Sequence, residues 1–258
     1  MIPAGFADVE AQLWLWLLAM IRPGAALFAA PVMGAATVPV RLRLVIALAI
    51  GIAALNSAPF ALPADGLTSV AGFAMIGGEI VIGLALGFTI QIGYAAALLA
   101  GEVISNAMGL GFASMVDPQS GQSTPVIGQL LGIFATLIFL SMDGHLALIR
   151  LVIDSYSALP PGGAIMHDEA LFGLVNFGGV LFSLGLLIAL PVASALILVQ
   201  IIMGMVARAA PALNLFAVGL PATLLAGILL LSIASPVLIE GISLGLDQSL
   251  TAAADIIR

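Results

Sequence analysis

Apolar residues fall into six long runs along the chain, roughly 11–32, 38–60, 67–100, 126–148, 171–203 and 213–246. A hydrocarbon core about 30 Å thick needs roughly 20 apolar residues per helical crossing, and several runs reach that length. In lipid each backbone N–H and C=O must be satisfied within its own segment. No run has the alternating pattern of a membrane barrel strand, so each is predicted to be helix. The punctuation between runs supports this. Pro31 to Arg43 holds three turn-formers and two arginines, Asn56 to Gly66 two prolines and an aspartate, and Pro160 to Glu169 a Pro-Pro-Gly-Gly loop with acids. The expected fold is an all-α integral membrane protein of helical hairpins with about six apolar helical segments, forming one membrane-embedded unit over 1–258.

One stretch breaks the pattern. Gly101 to Pro125 reads GEVISNAMGLGFASMVDPQSGQSTP. It is too polar and glycine-rich for a good lipid-facing helix and too apolar for a solvated loop. Non-helical backbone at membrane depth is tolerated only where it is buried in protein or lines an aqueous cavity. Such a cavity-lining segment and a connection resting on the membrane surface are the two readings open here. The run from Leu67 to Val116 would make a single helix of about 75 Å, so some segments are expected to be hairpins or tilted helices packed inside a complex.

Composition narrows the chemistry. Apolar residues make up 62% of the chain and charged residues 7%, against about 25% charged in an ordinary soluble domain. Without cysteine or lysine, disulfides, thiolate metal sites and Schiff-base lysines are excluded. A net charge of -7 argues against a nucleic-acid partner. Asp8 and Glu10 precede the first run with no arginine among them, which predicts a retained helix rather than a signal peptide. If all six runs cross, Arg41, Arg43 and Arg208 lie on one side and Arg150 and Arg258 on the other, too small a bias to set orientation.

Glu79 lies well inside an apolar run, where an ionised side chain facing lipid costs at least about 2.5–3.5 kcal/mol. It should face protein or water, either as a proton-relay carboxylate or, the preferred reading, as a hydrogen-bonded group ordering a helix interface. Gln91 and Glu102 share a face if their helix is unbroken. His145, after Asp143-Gly144, and His167, before Asp168-Glu169 in a loop, have no second ligand at helical spacing and make no metal site. No nucleophile elbow or phosphate loop is present, so catalysis has no candidates. Glycine pairs four apart, Gly83/Gly87, Gly128/Gly132 and Gly241/Gly245, are no more than the roughly three that 29 glycines would give by chance.

These residues carry a resemblance. Arg22-Pro23, then Pro31, Gly34, Val38-Pro39 and Arg43, lead to Glu79, Gly83 and Gly87-Phe88. Gly101-Glu102, Gly109, Asp117-Pro118, Asp143-Gly144-His145 and Pro191 come after them, and then Arg208, Pro211, Asn214, Phe216 and Val218-Gly219-Leu220-Pro221. In order and spacing over about 200 residues the chain resembles the FliR/SctT family of type III secretion export-gate proteins, in its flagellar branch. It departs at Ala212, where the family usually has glutamine, and at Ala222 and Thr223, where it usually has lysine nearby.

The resemblance implies one copy of this subunit assembled with two other membrane subunits in multiple copies, together with the export-apparatus membrane protein that controls substrate switching. It implies a protein-conducting gate for unfolded export substrates, in the flagellar basal body of the bacterial inner membrane, with no cofactor and no catalysis. It also implies that the segment carrying Asp117-Pro118 is a pore plug, with Met108, Gly109, Phe112, Met115, Val116, Asp117 and Pro118 as its candidate residues. The residues themselves suggest assembly roles for Glu79, Gln91 and Glu102, which need protein or water neighbours, and for Arg208, Pro211 and Asn214, a helix break near a membrane boundary. Methionine's unbranched thioether suits a seal that must fit irregular partners. The alternative reading is a small-molecule secondary transporter, which would use broken helices and intramembrane charges at a midplane site; the two halves show no inverted repeat in its favour.

Overall fold

The structure is a computed structural model and describes residues 4–58, 60–63, 66–111, 125–163, 168–209 and 215–257. Among them are seven helices and no strand: α1 (Ala4–Ala29), α2 (Val40–Leu55), α3 (Val70–Ala107), α4 (Val126–Ser141), α5 (Gly144–Ala158), α6 (Asp168–Ala209) and α7 (Leu215–Ile256). Four contain stretches long and apolar enough to cross a membrane: Val9–Ala29, Val70–Ala107, Glu169–Ala209 and Val218–Asp255. The all-α membrane architecture follows from the hydropathy pattern, but several boundaries do not.

The run 126–148 is not one helix. Asp143 adopts φ 56, a left-handed conformation that no continuing helix contains, and α4 and α5 meet there at a 62° bend, so that only the bent pair together is long enough for a fifth span. The run 38–60 yields a helix of 16 residues, about 24 Å and short of a crossing. Helix α3 continues to Ala107, seven residues into the stretch expected to leave helical form. The reason is local: a Cβ on Gly101 would lie 2.5 Å from Gly128 Cα, so glycine there serves a close helix contact rather than a break. Glu169, expected in a loop, belongs to α6.

The chain forms two compact units. The first comprises Met1–Ile92, Leu140–Gly178 and Asp247–Arg258. Its core includes Leu18, Ala19, Ala26, Ala47, Ile50, Leu86, Leu148 and Val152. Here α1 is gripped from two directions. A Cβ on Gly51 of α2 would stand 2.6 Å from Ala19 O, and Cβ atoms on Gly83 and Gly87 of α3 would collide with the carbonyls of Arg22 and Ala26. The second unit comprises Gly93–Phe139 and Gly179–Leu246. It buries Ala97, Ala100, Ile104, Leu131, Ala135, Ile188, Val192, Leu196, Ile242 and Leu246. In it the Tyr94 hydroxyl donates to Gly132 O at 3.1 Å, and a Cβ on Gly241 would touch Ile188 Cγ1 at 3.0 Å. The glycine pairs that counting alone dismissed thus sit at helix contacts, because without a side chain two backbones can approach closely.

Candidate functional site

Two polar arrangements stand out in these apolar surroundings. The first begins with a proline. Pro23 has no N–H, so the carbonyl of Ala19, one turn earlier in α1, has no helical partner. The Tyr156 hydroxyl of α5 donates to that oxygen at 2.9 Å. The Arg22 guanidinium lies over the Tyr156 ring, 4.0 Å from its centroid, a cation–π contact. Arg22 and Glu79 are 0% and 2% exposed and form a bidentate pair, Nε to Oε2 at 2.9 Å and Nη2 to Oε1 at 2.8 Å. Nη1 donates to Ser155 Oγ at 2.9 Å, and Nη2 also to Leu159 O at 2.8 Å. The planar fork matches the carboxylate while two of its other three donors go to α5 and its C-cap. One node thereby ties α1, α3 and α5 and neutralises two charges inside the protein.

Next to it in sequence, the α1–α2 turn gathers other residues of the resemblance. Gly34 follows Pro31 so tightly that a Cβ would lie 2.5 Å from Phe28 O. Arg43, from the first turn of α2, donates to the carbonyls of Gly34 and Ala35.

The second arrangement is the C-terminal end of α3. Leu110 N bonds to Ser105 O and Gly109 N to Asn106 O, both at 3.0 Å, and Gly109 has φ +82. This is a Schellman cap with glycine at the position that demands a left-handed backbone. The next two carbonyls are taken by neighbouring helices. Gln200 Nε2 of α6 donates to Ala107 O at 2.6 Å. The Thr223 hydroxyl of α7 shares its proton between Met108 O at 3.2 Å and Leu220 O at 3.0 Å. Met108 itself is 1% exposed, its side chain seated where a Cβ on Gly227 would come within 2.6 Å of Cε. Every carbonyl freed by the end of α3, from Ser105 to Met108, has a donor within the chain.

The remaining candidates are dispersed. Gln91 is half-buried, while Glu102 and Arg208 are exposed, Arg208 in the last turn of α6, where a cation complements the helix dipole. Phe112, Met115, Val116, Asp117, Pro118, Pro211, Asn214 and His167 lie outside the described residues. Sequence reasoning missed Ser155, Tyr156, Gln200 and the use of Thr223. Only Tyr156 left a signal, through the carbonyl that Pro23 orphans.

The sequence matches the family described as Bacterial export proteins, family 1, over residues 13–248. It is 37% identical over 238 residues to Flagellar biosynthetic protein FliR of Escherichia coli (strain K12), covering 90% of each chain. The protein of that name from Pectobacterium carotovorum subsp. carotovorum is 40% identical over 170 residues, covering 66% of this chain and 65% of the relative. That from Caulobacter vibrioides is 28% identical over 226 residues, covering 86% of this chain and 88% of the relative.

Proposed function

The chain belongs to family 1 of the bacterial export proteins and is a subunit of the flagellar type III export apparatus, and from that premise we propose how it serves there. It lines part of a protein-conducting channel in the bacterial inner membrane, at the flagellar basal body, and carries unfolded building-block proteins without catalysing a reaction. Two other membrane subunits, in several copies, complete the gate. The segment Gly109 to Pro118 acts as its plug.

The observation that supports the plug is the capped end of α3. The helix stops at a fully satisfied cap and delivers the chain, at Gly109, into a sequence too polar and glycine-rich for lipid, yet carrying Phe112, Met115 and Val116, which do not suit water. A protein-lined pore resolves both conflicts, since an apolar constriction excludes ions by dewetting and yields to a passing polypeptide. Met108, packed against α7, serves as the root of the plug rather than part of its seal.

A small-molecule transporter is the weaker reading. It would keep its intramembrane charges available to substrate, whereas Arg22 and Glu79 are buried and bonded to one another.

Deleting Phe112 to Val116 in the assembled complex tests the plug. Membrane conductance should rise and growth slow while the complex still assembles and export persists in part. Unchanged conductance in an assembled complex returns the segment to a surface connection.

A further inference from the structure

We propose that Gln200 and Thr223 are positioning residues that fix the C-terminal end of α3 to α6 and α7 as a static root. The consequence for gating rests on the plug reading above; the anchor itself rests on geometry alone. Three independent contacts converge on two consecutive residues at one helix end. Gln200 holds the Ala107 carbonyl, Thr223 holds the Met108 carbonyl, and Gly227 leaves the space that the Met108 side chain fills. Two of these contacts are hydrogen bonds that reach across from other helices to groups that water or the chain's own backbone would otherwise have to satisfy. The Schellman turn takes up the carbonyls of Ser105 and Asn106, and those of Ala107 and Met108 are held by side chains from two other helices. Gly109, at φ +82, is the first residue past the ties, and its missing Cβ lets the backbone leave in a direction other residues resist.

A root of this kind separates two demands on a gate. The moving part must yield to an exported chain, while the lining around it must keep its geometry so that the pore closes again. Tying down residues 107 and 108 holds the end of α3 in place.

The chain has no native cysteine, so a paired substitution reports cleanly. A Cβ on Gly227 would lie 2.7 Å from Met108 Cγ, within bridging reach for Met108→Cys with Gly227→Cys. In assembled gates the oxidised pair should stay ion-tight and export as well as the reduced pair does. If oxidation stops export and reductant restores it, the end of α3 must detach during transport and the static root is wrong.

Thr223→Val and Gln200→Met keep side-chain volume but lose the donor. Each should raise ion leak roughly threefold, the factor set by an average interhelical hydrogen bond in a membrane protein, and Thr223→Ser should remain tight. If both variants stay tight in a complex where the Phe112 to Val116 deletion leaks, the anchor fails and the plug stands. If the deletion does not leak, the plug fails. The anchor is then judged by hydrogen exchange at the amides of residues 108 to 110, which Thr223→Val should accelerate and Thr223→Ser should not; equal protection in both rejects it. Should Thr223→Val not assemble, Gln200→Met, altered at an exposed position, carries the same comparison.

Discussion

Arg22 is tolerated in an apolar interior because its guanidinium meets the Glu79 carboxylate, Ser155, the Leu159 carbonyl and the Tyr156 ring, and the same dependence makes the site fragile. Removing one member of a buried pair leaves an uncompensated charge and costs about 3–5 kcal/mol, whereas replacing both by apolar groups is often neutral. Arg22→Met and Glu79→Leu should therefore each sharply lower recovery of the assembled complex, and the double variant should recover part of the loss. Arg22→Lys should behave nearly as badly as Arg22→Met, because a lysine cannot present the fork that engages both carboxylate oxygens. Recovery of complex after detergent extraction measures this; a double variant showing the sum of the two single losses would mean that the charges act separately. At this scale the sequence was half legible. Arg22 and Glu79 stood out as charges inside apolar runs, but 57 residues separate them, so nothing in the neighbouring turns of Glu79 disclosed its partner. Tyr156 was hidden more deeply, because α5 beyond residue 148 is too polar to read as a membrane run.

The helices themselves were legible where hydropathy is decided by the bilayer and illegible where it is decided by neighbours. Long apolar runs announced α1, α3, α6 and α7, since lipid leaves the backbone no other choice. The α4–α5 break was not announced, because Asp143 in a left-handed conformation is a local backbone event inside a run of otherwise suitable composition. Glycines posed the same difficulty, since spacing cannot distinguish a contact from chance. The structure distinguishes them position by position. Gly83 and Gly87 press α3 onto backbone carbonyls of α1, while a Cβ on Gly77, in the same helix, meets nothing within 4 Å. Gly83→Val or Gly87→Val should force α3 off α1 and, with it, strain the Arg22–Glu79 pair, so assembly should fall as it does for Glu79→Leu. Gly77→Ala should be neutral or stabilising by up to about 1 kcal/mol, the helix penalty of glycine relative to alanine. Thermal denaturation of the purified complex compares them. Equal tolerance at all three positions would show that the close crossing has no energetic weight.

Across the whole molecule, the surface that the chain leaves uncovered says most about how it lives. In their most apolar windows α1 and α3 are 39% and 50% buried within the chain, but α6 and α7 only 28% and 17%. Phe172, Val175, Leu225 and Ile233 are each more than half exposed on these two helices. Each helix has 42 residues and is about 63 Å long, roughly twice the hydrocarbon thickness, so an upright bilayer covers only part of that apolar length. Glu102 and Gln91 need polar neighbours that lipid does not offer. Other protein is the cover that meets both needs, and membrane helices associate through this kind of side-chain packing and hydrogen bonding rather than through a hydrophobic drive. Produced alone, the chain should accumulate poorly and run as heterogeneous aggregates in detergent, and co-production with the other membrane subunits of the export apparatus should raise its yield as one defined particle of unlike chains. Size-exclusion chromatography with mass determination decides the matter. A monodisperse monomer that restores export when returned to membranes would mean that the exposed faces of α6 and α7 are at home in lipid, and that the uncovered apolar length is accommodated by tilt rather than by partners.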